Sequence, residues 1–583
     1  MAMAQRVENV DTLDELDVFT SQEANNLAQQ LESSDNEDTR VLIEHDGEWP
    51  GAATIADVVH GTLRLHPLCN VVRFTPHFQR LDRLRQLGVA YSVFPSATHT
   101  RLTHSLGVSH LCFELLRKLR DSQRGQLELE ERDIRNVALA GLCHDLGHGP
   151  LSHVFEREFL RRSGISNWEH EDMSLEMFKD MVDSNGIEGV DQEDFRFIEN
   201  MIKGVKPEMR AKWPAGKRFL FDIVSNDYTG VDMDRADYLQ RDALMCGRFR
   251  LNCNFQDLLS YARVVDDQIC YPTWQLHNVW FVYSERVRMF REVYTHRRTK
   301  AAELMAVDAL MMANQALHFS NRIASPKEYL TLNDELFSMI EHYHITHNEA
   351  FRRLGGAEQR RLAEAQQVLG RIHRGALYDC CGECEVPERM LLDGTWDKLC
   401  KEFRDDVVAS YDAQLLPTDI MLDLNQIDYG KGGVDPMAKV GFYKGDGDGL
   451  VKVPADLEQL RGCERPSCFK TRTLRVFVRQ PGQRRAASAA FQEWCRRRLG
   501  SDVRVDTEML DEREDPRRSY GVASAAATGC LGKRIAQRSA ADPRRWEAAA
   551  AASPLSPQPV TPASKKCKTT EAANNSATVD VEL

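Results

Sequence analysis

The stretch 131–153, ERDIRNVALAGLCHDLGHGPLSH, limits the possible folds more than any other. Ile134, Val137, Ala138, Gly141 and Leu142 recur at helical spacing and define an inward stripe. Asp145 lies eleven residues after Ile134, and at ~100° per residue that returns it to nearly the same face. A carboxylate is therefore aimed at the core. Buried and ionised, it must be paired with a base or hold a cation. Gly147-His148-Gly149-Pro150 is expected to end the helix, and His153 follows, so imidazoles gather beside that carboxylate on a glycine-permitted turn.

Two further stretches supply similar chemistry. Arg101 to Gly107, RLTHSLG, opens a helix whose apolar face continues through Leu111, Leu115, Leu116 and Leu119, with His104 on its first turn. Taken alone, His104 is as well explained as a satisfied core histidine. In GVDMDRADYLQRD, Asp234, Asp237, Tyr238 and Asp242 share a helix face; the plain account is an acidic first turn favoured by the helix dipole. Together His104, His144, Asp145 and Asp234 make a nitrogen and oxygen set without thiolate. Such a set suits Fe, Mn, Zn, Co or Ni and leaves positions for water and phosphate oxygens. A divalent metal there lowers the pKa of bound water and offsets phosphoryl charge, which points to phosphate ester hydrolysis.

The rest of the chain bounds this reading. With 28% charged and 42% hydrophobic residues, the 583-residue chain is of ordinary soluble composition. It has no long apolar run and no signal-peptide core, and its 15 cysteines are spread as thiols of a reducing compartment. An intracellular protein is expected, nuclear or cytoplasmic, with no membrane partner. Residues 471–583 carry 20 Lys+Arg against 13 Asp+Glu, so the acidic excess sits in the first 470 residues and argues against a duplex-binding surface there.

Residues 1–50 read as an acidic disordered leader and 501–583 as an Ala/Arg/Ser/Pro-rich disordered tail. Between them, 51–325 read as a helical catalytic domain, including one long helix over 276–318. Residues 326–500 read as a C-terminal helical and α+β lobe, with strand composition in DIMLDLNQID, KVGFYK and TLRVFVRQ. Cys380, Cys381 and Cys384 form a half-site that Cys463 and Cys468 would complete for zinc, although ordinary thiols are the plainer reading. His342, His344 and His347 read as a solvated face. Lys565, Lys566 and Lys568 are short for a nuclear import signal. Arg496 to Arg498 with Phe491 and Trp494 suggest weak single-stranded nucleic acid contact, or a basic helix face packed on its own domain.

The ordered set RLTHSLGV, LCHDLGHGPLSH and GVDMDRADYLQRD resembles the HD-domain metal-dependent phosphohydrolases. The resemblance is closest to the SAM- and HD-domain deoxynucleoside triphosphate triphosphohydrolases. It is supported by HGTLRLHPL, TPHFQRLDRLRQLG, YSVFPSATHTR, SNGI, Tyr294 to Arg297 and NQIDYGKGGVDPMAKVGFYK, and spans roughly residues 50–480. It implies a mainly α HD-domain fold with a smaller C-terminal α+β lobe, and cleavage of dNTPs into deoxynucleoside and inorganic triphosphate. It also implies a divalent metal (Fe, Mn, Zn or Mg) on His104, His144, Asp145 and Asp234, and a homo-oligomer, dimer or tetramer.

By the same resemblance His148 and His170 lie near the phosphates and His153 beside the leaving sugar oxygen. Arg101, Arg235 and Arg286 grip phosphate, while Gln86, Leu87, Tyr238, Asp242 and Tyr294 meet sugar and base. Glu156 stands where the family has Asp, with the reach to meet His153; Arg235 stands for Lys and Phe290 for a histidine. Ala53, Phe74 and Asp82 occupy the places of a guanine-nucleotide activator site, so activation of that kind is not expected, and the SAM module is not found before residue 50. The rival readings are an HD phosphohydrolase acting on other nucleotides, and a single-stranded nucleic-acid-binding protein with weak activity.

Overall fold

The computed structural model describes residues 52–506 apart from 206, 248–249, 387–395, 411–414, 447–448, 461–464 and 501–504. The leader, Cys463 and the lysine run at 565–568 lie outside the described residues. The ordered chain begins with a hairpin, β1 (Ala53–Asp57) and β2 (Gly61–Leu65), antiparallel with Ala53 opposite Leu65. The Asp57 carboxylate accepts from the amides of Val59 and His60 at 2.9 Å each, which closes the turn and turns His60 inward.

Helix α1 (Arg101–Ser122) carries the first histidine segment, and α2 (Glu131–Cys143) the apolar stripe, with Ile134, Val137, Ala138 and Leu142 fully buried. A reciprocal bond pair between Glu130 and Asp133 caps α2 at its start. The helix stops at Cys143, earlier than the glycines suggested, so His144 is its C-cap and the His-Asp doublet rides on the turn that follows. Helices α3 (His170–Ser184), α4 (Gln192–Lys203) and α5 (Met233–Met245) complete the wall around that turn; the Asp232 side chain accepts the Arg235 amide as the N-cap of α5.

Two expectations need correction here. A second hairpin, β3 (Arg263–Val265) and β4 (Gln268–Pro272), interrupts the helical region. Its turn residues Asp266 and Asp267 have φ of 51° and 58°, the two left-handed positions of a tight hairpin turn that aspartate tolerates. The helix expected over 276–318 is two, α6 (Leu276–Met289) and α7 (Arg297–Leu317), parted by a π-helical turn at Phe290–Tyr294. Such turns widen a helix and re-aim its side chains.

The C-terminal part has helix α8 (Gly356–His373) packed on α7, then strands β5 (Asp379–Glu385), β6 (Ile420–Asp428), β7 (Gly441–Asp446), β8 (Gly449–Val453) and β9 (Lys470–Val478). The three strand-like segments of the sequence are β6, β7 and β9. Helix α9 (Arg484–Leu499) and strand β10 (Val505–Asp506) follow; β10 pairs with β5, so order runs slightly past the residue 501 expected to begin the tail. The sheets have strand orders β10-β5-β9-β6 and β3-β4-β7-β8. In the second, β4 and β7 run parallel, so early and late chain share one sheet.

A small second core holds Cys384, Phe403, Phe491, Trp494 and Cys495. Cys384 and Cys495 are 3.5 Å apart there as free thiols, and Cys468 is exposed. Phe491 and Trp494 are buried, so neither offers a base-stacking surface, and the arginines beside them pair with Glu493 and Glu402. His342, His344 and His347 are exposed, as expected. All described residues belong to one compact unit, Met1–Asp511. Among them no helix is long and apolar enough to cross a membrane.

Candidate active site

His104, His144 and Asp234 come from three separate helices or their ends, yet their ligating atoms lie within 4.8 Å of one another. His104 Nε2 is 3.0 Å and His144 Nε2 3.6 Å from Asp234 Oδ1. Asp145 completes the set, with Oδ1 3.3 Å from His144 Nε2 and Oδ2 3.7 Å from His104 Nε2.

The outer nitrogens fix the ring orientations. His144 Nδ1 donates to the Gly141 carbonyl at 2.8 Å, and His104 Nδ1 donates to Asp237 at 2.7 Å, so both Nε2 atoms face the carboxylates. Nε2 of His144 is buried without a hydrogen-bond partner. Burial disfavours an imidazolium at His104, but the bonds to Asp234 and Asp237 outweigh it and raise His104 to about 10. The carboxylates thus draw positive charge to this point. That is the condition in which a divalent cation fits, on an all-nitrogen-and-oxygen set.

Asp237, which sequence reasoning counted only as one of an acidic run, is the key support. It is fully buried and takes two 2.8 Å bonds from Arg241 as well as 2.7 Å bonds from His104 and His60. Arg241 in turn donates to Asp57 at the base of the first hairpin. The signal was present in the i, i+4 spacing of Asp237 and Arg241; the long-range partner His60 had none.

A second imidazole group, His148, His153 and His170, adjoins the first. His148 Nε2 is 3.3 Å from Asp145 Oδ1, and its ring stacks on His170 with centroids 3.9 Å apart. Burial, then Arg101 and His170, hold His148 well below the usual histidine range, so it is neutral in the free protein. Gly147 makes this approach possible: a Cβ there would lie 2.1 Å from the His170 carbonyl oxygen. Glu156 accepts from His170 Nδ1 at 2.8 Å, not from His153 as its reach suggested, because the π-helical turn Phe155–Leu160 directs it toward α3.

The other expected residues are each held by contacts of their own. Arg101 donates to Asp145 and, at 3.0 Å, to Ser152 Oγ. Burial opposes the charge on Asp145, but Arg101, His144 and His148 hold its pKa well below the carboxylate range. Arg235 is different: its Nε and Nη1 are buried with no hydrogen-bond partner. Gly230 and Gly430, both in the left-handed region, face its guanidinium, and a Cβ on Gly430 would lie 2.9 Å from Nη1 and Nη2. Two glycines from distant loops therefore pack their bare backbones against a guanidinium whose Nε and Nη1 have no partner.

Arg286 donates to the backbone and side chain of Asp428 and stacks on Phe290 at 4.2 Å, so this grip is engaged elsewhere in the chain. Tyr294 donates to Asp242 at 2.6 Å, and Asp242 also binds His99 at 2.7 Å. Tyr238 meets Tyr294 edge to face at 6.4 Å. Gln86 Oε1 is buried without a partner, and Leu87 is partly buried against the core.

The HD domain family model matches residues 101–242, the span from Arg101 to Asp242 that carries all four candidate ligands. Over 442 residues the chain is 32% identical to the deoxynucleoside triphosphate triphosphohydrolase SAMHD1 homolog of Dictyostelium discoideum, covering 75% of this chain and 80% of that protein. The chain belongs to this triphosphohydrolase family. It is also 32% identical to deoxynucleoside triphosphate triphosphohydrolase SAMHD1 of Gallus gallus over 479 residues (76% and 75% covered) and of Homo sapiens over 472 residues (76% and 73%). The mainly helical HD-domain fold with a smaller sheet-containing C-terminal part is therefore that of an HD hydrolase.

Proposed function

We propose that this enzyme hydrolyses dNTPs to deoxynucleoside and inorganic triphosphate and so limits dNTP levels. One observation carries the reading: a set of imidazoles and carboxylates able to hold a cation adjoins a second histidine group, and the helix that carries Asp234 also carries a guanidinium with Nε and Nη1 buried and unpaired. His104, His144, Asp145 and Asp234 would hold the divalent metal, Fe, Mn, Zn or Mg. When bound, that metal acidifies water and offsets charge on the phosphoryl group.

The chain's own residues do the rest. Arg235 receives the phosphates, and Arg101 and Arg286 join it by leaving Asp145 and Asp428. His148 and His170, with Glu156 fixing His170, sit beside the phosphates, where a tetra-anion raises their proton affinity. His153 or His170 then gives a proton to the departing sugar oxygen as the innermost phosphorus is attacked. Gln86 and Leu87 meet the base side, and Tyr238, Tyr294 and Asp242 crowd the ribose, which favours deoxy over ribo substrates. The chemistry belongs to 51–325, supported by the lobe 326–500, in an intracellular dimer or tetramer.

The test is purified protein with each dNTP and with ATP, under Mn, Fe or Mg, scored for tripolyphosphate. Release of tripolyphosphate from dATP well above that from ATP is expected. Recovery of pyrophosphate or orthophosphate instead, or equal turnover of ATP, overturns the reading.

A further inference from the structure

The doublet and His148 to His153 ride on one irregular turn, 144–153, which has a few backbone bonds of its own but a strained stretch at 151–152. Leu151 and Ser152 have φ of 63° and 57°, the left-handed region that residues with a Cβ avoid. Such a conformation persists only where the surroundings fix it. The fixing group is a side chain beyond the matched HD segment. Asp334 Oδ1 accepts from the Leu151 amide at 2.8 Å, and its Oδ2 accepts from the Arg85 amide at 2.8 Å. The Asp334 amide donates to the Arg83 carbonyl at 3.1 Å. Ser152 Oγ donates to the Arg85 carbonyl at 2.9 Å and accepts from Arg101 Nε at 3.0 Å. One carboxylate thus ties the segment leading to Gln86 and Leu87 to the segment leading to His153.

Neighbouring residues brace the other end of the same turn. Tyr329 donates from its hydroxyl to the Gly147 carbonyl at 2.7 Å. Arg80 donates to the carbonyls of His148 at 2.7 Å, Leu146 at 3.1 Å and Leu332 at 2.9 Å, and stacks on the Tyr329 ring at 4.5 Å. Both faces of the turn are bonded to the short stretch Tyr329–Asp334.

We propose that Asp334 is a positioning residue for the reaction: it sets the spacing between the base-side segment Arg85–Leu87 and His153, so that a bound deoxynucleoside is met by its histidine in register. The inference rests on the proposed hydrolysis. It requires two acceptor oxygens at fixed positions. Asn offers only one and turns an NH2 toward the other amide; Glu keeps both oxygens but places them one methylene further out.

The experiment uses full-length Asp334→Asn and Asp334→Glu with bound metal. It measures kcat and KM for the best dNTP, inhibition by inorganic tripolyphosphate, metal content, and amide hydrogen exchange across 149–155. Both variants should lose roughly 10- to 100-fold in kcat, the penalty of a misplacement on the ångström scale. Tripolyphosphate inhibition and metal content should stay within about twofold, since the phosphate grips and ligands are untouched. In Asp334→Asn the 149–153 amides should exchange faster while α1 and β9 keep their protection. A purely structural role predicts unchanged kcat per folded molecule, or loss of protection everywhere, and either result overturns the assignment. Should Asp334→Asn fail to fold, the kcat of Asp334→Glu decides. If the unmodified chain releases no tripolyphosphate from any dNTP, the hydrolysis reading fails, and the exchange measurement alone then decides whether Asp334 braces the turn.

Discussion

Gly107→Ala is a substitution whose sign the structure reverses. In a helix interior, Ala is favoured over Gly by about 0.8–1 kcal/mol, so on propensity alone the change stabilises α1. Here the new Cβ would lie 1.9 Å from Asp237 Oδ1 and 2.6 Å from Arg241 Nη2. Both side chains are buried, 0% and 1% exposed, so neither has solvent to retreat into. Dislodging one partner of a buried, hydrogen-bonded ion pair costs about 3–5 kcal/mol. The net expectation is a loss of roughly 2–4 kcal/mol in the metal-free protein. A second effect follows, because Asp237 also orients His104: metal affinity should fall by roughly 10- to 100-fold, the usual consequence of losing an outer carboxylate. Urea unfolding of metal-free protein reads the first effect, and Mn titration against a competing chelator the second. An unfolding midpoint equal to or above that of the parent, with unchanged Mn affinity, would refute the claim that Gly107 is small to make room for Asp237.

Other outcomes follow from the same geometry. Arg235→Met should raise the inhibition constant of tripolyphosphate by roughly 10- to 100-fold, since charge-assisted bonds are worth about 1.5–3 kcal/mol each; deoxynucleoside inhibition measured in parallel should not move. Tyr294→Ala opens space beside Asp242, and the dATP to ATP ratio of kcat/KM should drop about tenfold; an unchanged ratio removes Tyr294 from sugar selection. A pH effect comes from Lys300, which faces three carboxylates, Glu158, Glu303 and Asp423, at 3.4–3.6 Å, while Arg162 pairs with Glu158 at 2.8 Å. Burial, against the pull of Lys300, holds Glu303 up at about 7. The folded state therefore keeps a proton that the unfolded state has released, and stability should decline as pH rises from the ordinary glutamate value through 7, by about 3 kcal/mol at most. Glu303→Gln should flatten that decline in urea titrations at pH 5 and 7.5; an identical slope in both proteins counts against it.

What the sequence made legible divides along a physical line. Helical periodicity aimed Asp145 and His104 inward, and the structure brings both to one group with His144 and Asp234. Local patterns sufficed for His104, whose direction is set by its own helix, whereas Asp145 lies past the end of α2 on the turn that follows. Strand composition likewise marked β6, β7 and β9. Supports set by pairing at a distance were invisible: His60 reaches Asp237 across 177 positions, and Asp334 reaches Leu151 across 183. The β3–β4 hairpin was not expected within the helical region, although paired Asp at a tight turn was available as a signal. The break at Phe290–Tyr294 left no mark, since a π-helical turn contains no residue that forbids an α-helix.

The arginines explain how an acidic chain can take a highly anionic ligand. Residues 1–470 hold 75 acids against 55 bases, so the average surface repels triphosphate. Two of the three cleft arginines are already engaged, Arg101 by Asp145 and Arg286 by Asp428, and only Arg235 stands bare among buried groups. Under the proposed function, phosphate would approach free charge at Arg235 and exchange partners at Arg101 and Arg286. Freeing Arg101 leaves Asp145 buried without its cation, which a divalent metal on the same carboxylate offsets. Metal and triphosphate should therefore bind with positive coupling, each removing the other's cost, and by linkage the coupling is equal in both directions. Tripolyphosphate should tighten Mn binding by the same factor by which Mn tightens tripolyphosphate. Because Asp145 itself is a ligand, the residue to alter is Arg101: Arg101→Lys, which cannot fork between Asp145 and Ser152, should weaken that mutual effect while leaving Arg235 to bind the anion.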